Sequence, residues 1–174
     1  MRIMWQGVLD PSTERLAFVS DAEGLFAASE VRTADHSYSY DVALDEEWLF
    51  RTLEARRDGG MQLLLERTAD GSWLCNGHPR ADLSEAIDID LSFSPFTNTL
   101  PIRRLALAVG SSADIVTAFV GADLTVTADP QRYTRMDERR YLYESRDSDF
   151  RREITVDDDG FVVDYPGLFR RLPV

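Results

Sequence analysis

The sequence predicts a mainly β fold, and three observations carry that expectation. Apolar and polar residues alternate without a fault through Ile87-Asp88-Ile89-Asp90-Leu91-Ser92-Phe93-Ser94, the period of a strand that buries one face and wets the other. Weaker runs of the same kind recur along most of the chain. Between them stand the turn signals Asp58-Gly59-Gly60, Asp70-Gly71, Asn76-Gly77 and Asp157-Asp158-Asp159-Gly160, where glycine supplies the positive φ that tight hairpins need. Short strands punctuated at this spacing describe an antiparallel meander, and so many of them must curl, close or split into two layers.

In chain order, strands are expected at 25–31, 38–44, 48–56, 61–67, 87–94, 115–120, 131–135, 141–145, 151–156 and 161–165. Alternation stops at Pro95-Phe96-Thr97-Asn98-Thr99-Leu100-Pro101-Ile102-Arg103-Arg104. There Asn98 is placed to cap a short helix, with Pro101 inside the first turn where a missing N–H costs little. Asp45-Glu46-Glu47-Trp48-Leu49 is a second helix candidate, although strand is the stronger expectation from Trp48 onward. No repeat, linker or low-complexity tract divides the chain, so one domain spanning 1–174 is expected.

The 174 residues carry a formal net charge of -12 and 44% hydrophobic side chains. That size and composition suit a packed globular core. The charge repels phosphate backbones and anionic surfaces, so nucleic acid is not an expected partner. The basic residues other than two histidines are all arginine, whose planar fork grips carboxylate or phosphate at two points. No apolar run approaches the length of a membrane helix, so no integral membrane association is expected. Cys75 is the only cysteine, which rules out an intrachain disulfide. With no signal-peptide pattern at the start, the cytoplasm is the expected location.

Catalytic signals are sparse. His36 and His78 stand apart, with no Cys or Glu at ligand spacing, and no zinc or other metal site is assigned. There is no G-x-S-x-G elbow, phosphate loop or dinucleotide fingerprint, so no cofactor and no catalytic residue are assigned. Cys75 reads as a buried, inert thiol. Asp88 and Asp90 share one strand face about 7 Å apart and are read as a solvated face. The acidic run 157–159 lacks the calcium-loop Glu, since Leu168 stands at the twelfth position from Asp157. Binding chemistry is better represented. Trp48, Trp73, Tyr38, Tyr133 and Tyr141 lie in strand-like stretches with Arg51, Arg103, Arg132 and Arg135 nearby. Aromatic faces suit the C–H face of sugars or acyl chains, and arginine forks suit hydroxyls and phosphates.

The stretch from Asp88 to Leu105, with Pro95-Phe-Thr-Asn-Thr-Leu-Pro-Ile-Arg-Arg104 at its centre, resembles the signature of the bacterial putative glycolipid-binding family. Trp48-Leu-Phe-Arg51, Gly71-Ser-Trp73, Gln131-Arg-Tyr133 and Val156-Asp-Asp-Asp-Gly-Phe-Val-Val-Asp-Tyr-Pro-Gly-Leu-Phe169 match in order over nearly the whole chain. The resemblance implies a curved antiparallel sheet, a partly closed barrel similar to lipoprotein carriers, wrapped around one or two short helices. It carries over no catalytic residues.

The expected function is therefore non-catalytic binding of an amphipathic, glycolipid-like small molecule in a cavity of the curved sheet. Trp48, Arg51, Asn98, Arg103 and Tyr133 are the candidate ligand contacts, rings on the apolar part and arginine on the polar head. Two rivals stay open. One is an enzyme acting on a sugar or acyl substrate with Glu14, Asp88 or Asp90 as acid and base. The other is a protein-interaction module with no ligand cavity, working through an exposed strand edge as a homo-oligomer.

Overall fold

In the computed structural model, which describes residues 1–22 and 24–173, the chain builds one fifteen-stranded sheet around a short helical plug. The strands of its first half are β1 (Arg2–Gly7), β2 (Ser12–Asp21), β3 (Gly24–Thr33), β4 (Ser37–Leu44), β5 (Phe50–Arg57), β6 (Met61–Arg67), β7 (Trp73–Cys75) and β8 (His78–Pro79). The second half supplies β9 (Asp88–Leu91), β10 (Ser112–Val120), β11 (Val126–Arg135), β12 (Arg140–Ser145), β13 (Arg151–Val156), β14 (Val162–Tyr165) and β15 (Phe169–Leu172). β1 lies mid-sheet. From it β2 to β8 step outward on one side, and β15 back to β9 step outward on the other. Neighbours are antiparallel except β9 and β10, which run parallel.

Curling follows from one connection. Laid flat, fifteen strands about 4.8 Å apart would span about 67 Å. Yet residues 80–87 alone carry the chain from β8 at one edge to β9 at the other, and so few residues reach at most about 32 Å. The edges must therefore approach. Bonds across the gap hold them there: Arg80 Nη2 donates to the Val126 carbonyl at 2.7 Å, Tyr38 Oη to the Ala122 carbonyl at 3.0 Å, and Arg57 Nη1 to the same oxygen at 2.9 Å.

Inward side chains of the first half, among them Trp5, Leu16, Tyr40, Leu53 and Leu65, pack on Phe93, Phe96 and Leu100. A second apolar cluster joins Ile102 to Tyr133, Tyr141, Ile154 and Val162. The plug between them is a 3-10 turn, Pro95–Asn98, running into α1, Thr99–Leu105. The expected helix is thus present, but its cap differs. Ser94 is the residue that caps, its Oγ accepting from Phe96 N at 3.1 Å, while Asn98 makes no cap bond and points its amide elsewhere. Ala106, at φ 42, ends the helix in a left-handed conformation.

Two further expectations are corrected. Strand β9 stops at Leu91, and Asp88 is wholly buried and Asp90 mostly so. The solvated reading fails because the plug folds back over the face that carries both carboxylates. Trp48 lies in the turn before β5 with φ 65, an unfavourable conformation for a bulky residue. Asp45 holds that turn: Oδ1 accepts from Glu47 N at 3.0 Å and Leu49 N at 2.9 Å, and Oδ2 from Arg51 Nη2 at 2.5 Å.

Candidate ligand-binding site

The carboxylates brought inside by the plug are treated unequally. Asp88 receives a two-pronged ion pair from Arg104, Nε to Oδ1 at 3.0 Å and Nη2 to Oδ2 at 2.6 Å. Asp90, two residues on, has no cation. Its Oδ1 accepts from Thr97 Oγ1 at 3.1 Å and its Oδ2 from Gln131 Nε2 at 2.7 Å. The same Nε2 lies 2.7 Å from Oδ2 of Asp129, so the two carboxylates flank one amide. Burial is the main cause that pushes Asp90 up to about 6, helped by the neighbouring Asp129 charge and opposed by the Gln131 bond. Burial raises Asp129 as well.

These groups open onto a cavity of about 330 Å³ between the plug and strands β10 to β15. Asp90, Asn98, Asp129 and Asp147 supply its polar wall, and Tyr143 and Tyr165 line it with aromatic surface. No arginine or histidine lines it among the described residues. Neither tyrosine hydroxyl hydrogen-bonds to a described residue, although both residues are buried. The wall therefore offers acceptors, hydroxyls and ring faces without a positive charge. A second cavity, of about 280 Å³, shares Ser92, Leu168 and Phe169 with the first. Its lining sets Phe93, Tyr38 and Leu168 among Asp10, Ser12, Thr33, Asp35 and His36.

Behind the plug lies Glu14, 2% exposed. Its Oε1 accepts from Ser29 Oγ at 2.8 Å, Tyr40 Oη at 2.6 Å and Ser94 Oγ at 2.9 Å, and its buried Oε2 has no partner. Burial, only partly offset by those donors, pushes its carboxyl up to about 7. Glu14 does not line the Asp90 cavity, but Ser94 links the two: it lines the cavity and donates to Glu14.

The five residues picked out in the sequence fall into three places. Asn98 lines the first cavity, and its Nδ2 donates to the Tyr133 hydroxyl at 2.8 Å behind the wall. Trp48 and Arg103 meet elsewhere, the guanidinium carbon 5.1 Å from the indole centre, with Trp48 stacked on Phe18 at 5.5 Å. Arg51 is bound to Asp45 beneath the Trp48 turn. Sequence reading passed over Asp129, Asp147, Tyr143 and Tyr165. A signal existed for one of them: Asp129, Gln131 and Tyr133 recur at period two on β11, but inward polar residues read as a solvated face.

The family model described as putative glycolipid-binding matches residues 2–171. The chain belongs to the putative glycolipid-binding family. Among solved structures, the crystal structure of a DUF1089 family protein from Pseudomonas aeruginosa is similar to this family member, with 36% identity, 92% of each chain covered and a TM-score of 0.84. No curated protein matches it. A curved sheet around a plug is thus what this member of the glycolipid-binding family shares with a crystal structure. No helix among its described residues is long and apolar enough to cross a membrane.

Proposed function

We propose that the protein binds an amphipathic, glycolipid-like molecule without changing it covalently, in the cytoplasm. The hydroxyl-rich head occupies the cavity lined by Asp90, Asn98 and Asp129, and the apolar part extends into the adjoining cavity over Phe93. The observation that carries this reading is that the two cavities meet at Ser92, Leu168 and Phe169, which joins the carboxylate and tyrosine wall of the first to Phe93 and Tyr38 of the second. Sugar hydroxyls donate to carboxylates while their C–H faces lie on aromatic rings. A phosphate or sulfate head would meet carboxylates and no cation, a desolvation cost with nothing to offset it. The head is therefore neutral or cationic. In this proposal Trp48 and Arg103 shape a separate contact outside the cavity.

The paired carboxylates also fit the geometry in which glycosidases work. Against cleavage stands Gln131, whose amide sits between Asp90 and Asp129, where a scissile oxygen would have to enter.

Mass spectrometry of organic extracts from natively purified protein, followed by calorimetric titration with a neutral glycolipid and with a phosphatidic acid of equal chain length, tests the reading. A neutral glycolipid should bind, and Asp129→Asn should weaken it by about tenfold, the loss of one charge-assisted hydrogen bond. Tighter binding of the phosphatidic acid, or no binding of either, overturns it.

A further inference from the structure

We propose that the outer face of β1 to β4 docks a second copy of this chain about a two-fold axis that lies in the interface, parallel to the strands, between β2 and β3. Register fixes what this face presents. One row across the four strands reads Met4, Arg15, Glu30, Ser39, and the next reads Arg2, Ala17, Ala28, Asp41. A third row carries Val19, Phe26 and Ala43 on β2 to β4. The first two rows line a groove of about 670 Å³.

An in-plane axis between β2 and β3 sets each strand against its mirror position in the row: β1 on the partner's β4, and β2 on the partner's β3. Arg2 then faces the partner's Asp41, and Arg15 faces the partner's Glu30. Ala17 meets the partner's Ala28, and Val19 meets the partner's Phe26. The charged positions of the first two rows meet opposite charges and the central positions of the second and third meet apolar groups, while Met4 falls on the partner's Ser39, so the face is largely self-complementary, as an isologous interface requires. An axis along the rows would instead set Arg2 on the partner's Arg2 and Asp41 on the partner's Asp41.

Three properties of the single chain support this occupant. None of Arg2, Arg15, Glu30 and Asp41 takes part in an ion pair among the described residues. The centre of the face is alanine, which lets two sheets reach the usual separation of about 10 Å. Beside it, Val19 is 52% and Phe26 38% exposed, apolar area that the partner removes from water. Four strands by three outward rows cover about 400 Å² per copy, less than a stable dimer needs, so the dimer is a weak, reversible one. It leaves the ligand cavities, which lie inside the sheet, untouched.

Sedimentation equilibrium of the full chain from about 10 µM to about 1 mM reads the association directly. A monomer–dimer equilibrium is expected, and a monomer mass throughout overturns the proposal. The charge-swap pair R15E and E30R tests the face. Both sites are exposed, and circular dichroism checks that each variant folds. Each alone sets like charges against each other twice and should lose association at least tenfold. Mixed one to one they should associate again, because each clash becomes an opposite-charge pair. Variants that dimerise like the parent, or a mixture that stays monomeric, overturn it.

Discussion

Among single residues, Glu14 ties stability to pH. Its folded carboxyl, at about 7 against an ordinary 4.5, binds a proton more tightly than the unfolded one, so folding takes up a proton. That contribution is complete below the unfolded value and is lost as pH rises through about 7, a fall in stability of about 3 kcal/mol. Urea midpoints measured between pH 5 and 8 should decline, and Glu14→Gln should flatten the decline. Asp90 titrates near 6 at the edge of the cavity, with a different readout. An ionised carboxylate is the stronger acceptor, so calorimetric affinity for a neutral glycolipid should weaken as pH drops from 7 to 5. Tyr133→Phe leaves the Asn98 amide N–H unpaired inside the wall, which should cost about 1–3 kcal/mol in the same urea assay. None of the three roles was legible in the sequence. Glu14, a candidate acid in the sequence, alternates with Leu16 and Phe18 on one face of β2. The partners that meet it there come from β3, β4 and the plug, and no local pattern names them.

At the level of elements, the plug was the most legible part, because its two prolines and the loss of alternation mark it. Its attachments were not. Ser94, read as the last residue of a strand, is both helix cap and Glu14 donor. Ser94→Ala should cost about 1–2 kcal/mol in denaturant melts. Arg104 pins the end of the plug to Asp88, and Arg104→Ala leaves a buried carboxylate unpaired, which should cost about 3–5 kcal/mol, most of it recovered in an Arg104→Met, Asp88→Leu double variant. The hairpin strands at 61–67 and 151–156 agree with their sequence limits and that at 141–145 starts one residue earlier, at Arg140, since glycine or aspartate turns bound them. β1, β2, β8 and β15 were missed. Met4, Ala17 and Val19 place apolar groups on the outer face of β1 and β2, and β15 is a four-residue strand carrying two arginines, so none of them alternates cleanly. The Trp48 turn went unread because a bulky residue at positive φ has no local signal; Asp45, which holds it, follows the expected strand 38–44 directly and opens the second helix candidate. Asp45→Ala should loosen it, seen as greater acrylamide quenching of tryptophan fluorescence, since Trp5 and Trp73 stay buried.

Taken whole, the molecule is one sheet whose curl is imposed by the short passage from β8 to β9, and whose interior is too full of plug for a wide lipid channel. What remains open are the two adjoining cavities, which is why the proposed ligand is a head with a modest apolar extension. The fold class could be read from alternation alone, whereas the closeness of the edges could not, because it depends on which strands are neighbours. That pairing has a kinetic side. β1 is the first strand to leave the ribosome and β15 the last, yet they are hydrogen-bonded to each other along four residue pairs. Until β15 has been made, β1 offers a bare edge to any passing strand, a hazard for aggregation. Contacts of such wide sequence separation also form slowly. Protection of β1 amides in pulse-labelled hydrogen exchange should therefore appear late during refolding, after the hairpins of β2 to β6, and production of the chain should depend on chaperones more than its equilibrium stability would suggest.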